Sequence, residues 1–173
     1  AQQADDALLE RGEYLTRAAD CLACHVTEGG KPYAGGLPVE MPFGTLYSTN
    51  ITPDKETGIG NWSAADIKRL LIQNVRPNGT PLVVMPTGFY GILLPSDLDA
   101  IVTYVQSIKP VKNKTPDPVY KLPVKHQILP GTEKPIKEAD LKDKVVHGFY
   151  LAAIGHCMEC HTPLVNGEMA FEH

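Results

Sequence analysis

All four cysteines of the 173-residue chain fall into two Cys-x-x-Cys-His segments, Cys21/Cys24/His25 and Cys157/Cys160/His161. Aligning the residues before each segment shows that more than the cysteines recur. RGEYLTRAADCLACH (11–25) matches HGFYLAAIGHCMECH (147–161) at a constant offset of 136. Gly12, Tyr14 and Leu15 fall on Gly148, Tyr150 and Leu151. One short cysteine motif can arise by chance, whereas two with the same Gly-x-Tyr-Leu prefix indicate duplicated modules. A disulfide scaffold is a poor account, because such scaffolds are smaller and denser in cysteine.

In Cys-x-x-Cys-His, two thiols two residues apart at a helix end can add across the two vinyl groups of one haem. The adjacent histidine then turns its imidazole to the iron as proximal ligand. Two competing chemistries fit less well. A thioredoxin-like pair belongs beside a βαβ pattern, which neither site has. A zinc centre would need four ligands gathered from widely separated segments. The reading is therefore haem c, at Cys21, Cys24 and His25 and again at Cys157, Cys160 and His161.

Around these sites the chain reads as all-α. Residues 5–19 have amphipathic helical spacing, with Leu8, Leu15, Ala18 and Ala19 to one side; Gly12, costly in a helix, suits a close helix–helix approach. Residues 26–62 are rich in Gly, Pro and Thr and predict loop with a short hairpin. Asn50-Ile51-Thr52 fits a glycosylation sequon, a common and uninformative match. Ser63 is expected to cap a helix whose stripe is Ile67, Leu70, Leu71 and Val75, ended by Pro77-Asn78-Gly79. A further helix from Ser96 carries Leu98, Ile101, Val102, Val105 and Ile108 inward and stops at Pro110. Residues 109–140 hold 6 of the 15 prolines and read as a Pro/Lys-rich linker. A helix over about 140–155 leads into the second site. The expected domains are 1–110, a linker 111–139, and 140–173 as the start of a second module, cut short so that the parent polypeptide is longer.

Methionine thioether is a common sixth haem ligand. Met85, between the second and third helices, sits where a loop can cross the open haem face, with Met41 as the fallback. The second site has no comparable ligand. Met169 is only eight residues past His161 and Met158 lies inside the motif. His156 suits a surface role, and His126 and His147 read as structural.

Charge and hydropathy exclude other classes. Residues 1–108 carry a net −5 and residues 109–144 a net +4, within a total of −4. That distribution does not suggest nucleic acid, and no apolar run reaches the roughly 20 residues of a membrane-spanning helix. The N-terminal residues AQQADDALLE lack the basic and apolar regions of a signal peptide and would suit a mature terminus left after cleavage.

GEYLTRAADCLACH (12–25), GGKPYAGGLP (29–38), PFGTLYSTNITPDKETGIGNWS (42–63), NVRPNGTPL (74–82), VVMP (83–86) and DLDAIVTYVQSI (97–108) together resemble the first module of one family. It is the multihaem cytochrome c subunit of bacterial membrane-associated dehydrogenases acting on alcohols, gluconate, sorbitol, aldehydes or N-heterocycles. HGFYLAAIGHCMECHTP (147–163) resembles the start of its second module. The linker does not match the family well. The resemblance implies a class I cytochrome c fold, His25 and Met85 as axial pair, and Gly12 packed against the helix bearing Tyr104. It implies a periplasmic electron-transfer subunit, associated with the membrane through further chain or partners. Such a subunit passes electrons from a dehydrogenase catalytic subunit to quinone or a terminal oxidase, with no catalysis of its own. A dihaem enzyme of peroxidase type and a freely diffusing dihaem carrier are the alternatives.

Overall fold

The computed structural model describes residues 2–82, 84–121 and 125–172. Helix α1 (Gln2–Ala18) stops where Asp20 adopts a left-handed backbone, φ 53° and ψ 22°, and the chain turns at once into α2 (Cys21–Cys24). Strands β1 (Pro38–Met41) and β2 (Gly44–Tyr47) follow, then α3 (Ala64–Gln73), a 3-10 helix at Thr87–Ile92 and α4 (Pro95–Ser107). After β3 (Val119–Tyr120) come a 3-10 helix at Glu138–Lys142, α5 (Lys144–Ile154), α6 (Cys157–His161), β4 (Leu164–Val165) and β5 (Glu168–Met169). Most regular structure is helical, as expected. Two small antiparallel sheets add to it, β1-β2-β3 and β4-β5. They form where Gly- and Pro-rich sequence cannot sustain a helix and the backbone groups pair across strands instead.

The chain divides into two compact units, residues 1–64 with 99–124 and residues 65–98 with 125–173. In the first, Leu15 and Thr16 of α1 and Ala19 just after it are buried, as are Ala100 and Val105 of α4. Thr16 was not on the predicted apolar stripe; its hydroxyl donates to the Glu13 carbonyl at 2.9 Å, which satisfies it locally. At Gly12 an added methyl would overlap the Ala100 carbonyl oxygen and come within 2.6 Å of the Tyr104 Cβ. The absent side chain is what lets the two helix backbones meet.

The start of the expected linker is tied into this unit. Asn50, 2% exposed, donates from Nδ2 to the Val111 carbonyl at 2.7 Å and accepts from the Thr52 amide and hydroxyl at 3.0 and 2.7 Å. The sequon residues are thus a buried hydrogen-bond junction, with the Asn50 amide nitrogen already engaged.

In the second unit Ile67 and Leu71 of α3 are buried, with Phe89, Ile92 and Leu129, and with Tyr150, Ala153 and Ile154 of α5. Helix α3 ends at Gln73, before the expected Pro77-Asn78-Gly79, because Asn74 takes a left-handed φ of 60°. Val75, expected on the helical stripe, instead bridges Pro81. The helix expected from 140 starts at Lys144. Asp143 caps it by accepting from the Val145 and Val146 amides at 2.7 and 3.2 Å, and the residues before it form a separate 3-10 helix. Residues 125–137 form no helix or strand, yet the Leu129 amide and Thr132 hydroxyl donate to the Gly88 carbonyl at 3.1 and 2.9 Å. Leu122–Val124 of the expected linker lie outside the described residues.

Candidate cofactor sites

The first site is built by a short helix that starts in a forced turn. The left-handed Asp20 ends α1 and aims α2 so that Cys21 and Cys24 follow within one turn, with the His25 amide closing on the Cys21 carbonyl at 2.9 Å. His25 is 8% exposed, and its Nδ1 lies 2.7 Å from the Thr49 carbonyl oxygen. A carbonyl can only accept, so Nδ1 carries the proton and Nε2 is the nitrogen with a lone pair for a metal. Burial pushes the imidazole below its ordinary pKa, against the smaller opposing effect of the Thr49 bond. The neutral ring is the form that ligates.

Gly35 makes this orientation possible. Its backbone is left-handed at φ 70°, its amide donates to the His25 carbonyl at 2.9 Å, and a methyl group there would overlap the Thr49 carbonyl. The loop that carries the histidine's acceptor therefore lies directly against the loop that follows the histidine.

No disulfide joins any of the four cysteines. Burial raises the Cys21 thiol to about 12, the opposite of the depressed value a thiol–disulfide catalyst uses. Among the described residues, no three His, Cys, Asp or Glu side chains converge as a structural zinc site needs. Two thiols on one helical turn and a neutral histidine with Nε2 to offer fit a covalently held haem.

The second site repeats the first in backbone. His156, 136 residues after Asp20, is also left-handed at φ 39° and ψ 39°, and α6 carries Cys157, Cys160 and His161. The surroundings differ. His161 and both cysteines are exposed, where His25 is buried. The His156 Nδ1 lies 3.0 Å from a Glu159 carboxylate oxygen, so it makes an ion pair when protonated. Helix α5 also buries another face: Tyr150 is 1% exposed and Leu151 43%, whereas Tyr14 is 54% and Leu15 1%. Tyr150 donates to Asp97 at 2.6 Å and accepts from the Leu94 amide at 3.1 Å. Equal spacing of the two repeats carries no sign of this exchange of faces.

The methionine candidates sit in different settings. Met85 is half-buried, just before the 3-10 helix at Thr87–Ile92, and its carbonyl accepts from the Thr87 amide at 2.7 Å. Met41 ends β1 and is 36% exposed. Met169 ends β5, with its amide donating to Gln127 at 2.7 Å. His126 is exposed and hydrogen-bonded to Thr87.

The cysteine–histidine geometry and the helical frame define a c-type cytochrome module, and the cytochrome c family model matches residues 9–109. The chain belongs to the cytochrome c family. It is 41% identical over 179 residues to the cytochrome c subunit of a quinone-type alcohol dehydrogenase from Gluconobacter oxydans, covering 94% of this chain and 37% of that protein. It is 42% identical to the gluconate 2-dehydrogenase cytochrome c subunit of Pantoea cypripedii, covering 93% and 39%. The cytochrome subunit of the fructose dehydrogenase of Gluconobacter japonicus is 34% identical, over 90% of this chain and 35% of that protein. The chain thus spans less than two-fifths of the length of these relatives. Membership and relatives together point to electron transfer. No helix among the described residues is long and apolar enough to cross a membrane.

Proposed function

We propose that the protein is an electron-transfer subunit that carries two haem c groups, one at each Cys-x-x-Cys-His segment. Haem supplies reversible one-electron chemistry at iron. Cys21 and Cys24, and likewise Cys157 and Cys160, would hold it through two thioether bonds, each S–H adding across one vinyl group. His25 and His161 are the proximal ligands. The observation that carries this reading is the 2.7 Å contact between His25 Nδ1 and the Thr49 carbonyl. It fixes the tautomer and the ring plane before any metal arrives, so little reorganisation accompanies a change of iron charge.

Met85 completes the first centre in this reading, as the sequence order of its loop suggests. Held by both His25 and Met85, the iron would be left no place for a substrate and would serve one-electron transfer only. Residues 1–110 form the first haem module, 111–139 connect, and 140–173 belong to the second. The protein works in the periplasm, takes electrons from a partner dehydrogenase and delivers them to quinone or a terminal oxidase. The dehydrogenase relatives support that partner class.

Exposure of His161 favours testing one rival, a peroxidase-like second centre. The holoprotein is mixed with hydrogen peroxide and a small-molecule electron donor, and separately with carbon monoxide. The relay reading predicts reversible redox titration with peroxide turnover no faster than free haem. Rapid saturable peroxide turnover, with carbon monoxide taken up at one haem, would replace it with the enzyme.

A further inference from the structure

The segment carrying Met85 is gripped at both ends by one buried side chain. Asn74, 4% exposed, closes α3 in the left-handed region. Its Nδ2 donates to the Leu82 carbonyl at 3.2 Å, and its own carbonyl accepts the Leu82 amide at 3.3 Å. Its Oδ1 accepts the hydroxyl proton of Thr87 at 2.8 Å. Thr87 is 1% exposed, and its amide reaches back to the Met85 carbonyl at 2.7 Å. The hydroxyl has one proton and gives it to Asn74, so the His126 Nε2 at 3.0 Å must donate to the same oxygen. Leu82 and Thr87 thus bracket Met85 and are both fastened to the end of α3.

A helix could end here on glycine more cheaply. Glycine would keep the backbone turn and lose both side-chain bonds, so the asparagine does something the turn alone does not require. We propose that Asn74 and Thr87 are positioning residues that clamp the Met85 segment, so that its thioether is presented as a ligand and opens rarely. The inference rests on Met85 being the sixth ligand of the first haem.

Exogenous imidazole, which competes for an iron position only when the methionine leaves, reads the opening directly. Its binding to oxidised holoprotein is followed by loss of the weak methionine–iron absorption band. Thr87→Val removes the hydroxyl at nearly constant shape and is expected to tighten apparent imidazole binding about tenfold, the worth of one buried hydrogen bond. Thr87→Ser restores the wild-type value, and Asn74→Gly behaves as Thr87→Val or more strongly. Wild-type imidazole affinity in both Thr87→Val and Asn74→Gly overturns the clamp. Met85→Ala separates the two claims. A band that survives it removes the ligand reading. A band abolished by it but indifferent to Thr87→Val leaves the ligand and removes the clamp. Should neither clamp variant accumulate with haem, amide exchange at Leu82 and Thr87 in the wild-type holoprotein decides. Protection equal to that of α3 supports the clamp, and free exchange overturns it.

Discussion

Gly12 and Gly148 occupy the same position in the two repeats and meet opposite surroundings. Gly12 lies against the Ala100 carbonyl and Tyr104, whereas nothing approaches a methyl placed on Gly148 within 4 Å. Gly12→Ala is therefore expected to cost about 1–3 kcal/mol through overpacking. Gly148→Ala is expected to be neutral or to gain up to about 1 kcal/mol from helix propensity. Denaturant unfolding of the two holoprotein variants checks the contrast; equal effects would contradict it. The close approach at Gly12 was legible in the sequence, because glycine inside an amphipathic stretch asks for a reason. The Thr49 carbonyl on His25 was not. It is a backbone acceptor 24 residues away, and backbone atoms leave no mark in residue identity. Asn50 was masked differently, since a residue type that suits a glycan also suits a buried junction.

Helix ends, more than helix existence, separate expectation from structure at the level of elements. α3 stops at Asn74 and α5 starts after Asp143 because a single polar side chain or left-handed residue intervenes, and hydrophobic spacing does not register either. The exchange of buried faces between α1 and α5 has a similar origin. In α5 the tyrosine of the repeated Gly-x-Tyr-Leu finds Asp97 and the Leu94 amide, so the helix docks on Tyr150 rather than on Leu151. Tyr150→Phe leaves Asp97 without that donor while keeping the ring. Its predicted cost is about 1–3 kcal/mol, as for a buried acceptor that loses a partner. Tyr14→Phe, at an exposed site, is expected to change unfolding free energy by less than about 0.5 kcal/mol. Comparable losses in both would mean that the two repeats use their tyrosines alike.

The Cys-x-x-Cys-His motif is duplicated along the chain, and the duplication reaches the backbone. Asp20 and His156 share a left-handed conformation that L-residues adopt rarely, each immediately before a cysteine helix. Identical spacing made the repeated backbone of the two segments legible from the sequence, while their unequal burial depends on long-range packing that spacing does not encode. The central claim is that both sites hold covalent haem. Its most direct test is the pyridine haemochrome content of the purified holoprotein, taken after acid–acetone extraction removes any haem not bound through thioethers. Two haems per chain are expected, falling to one when Cys157 and Cys160 are both changed to serine. One haem per chain in the unaltered protein, or none after extraction, would contradict it.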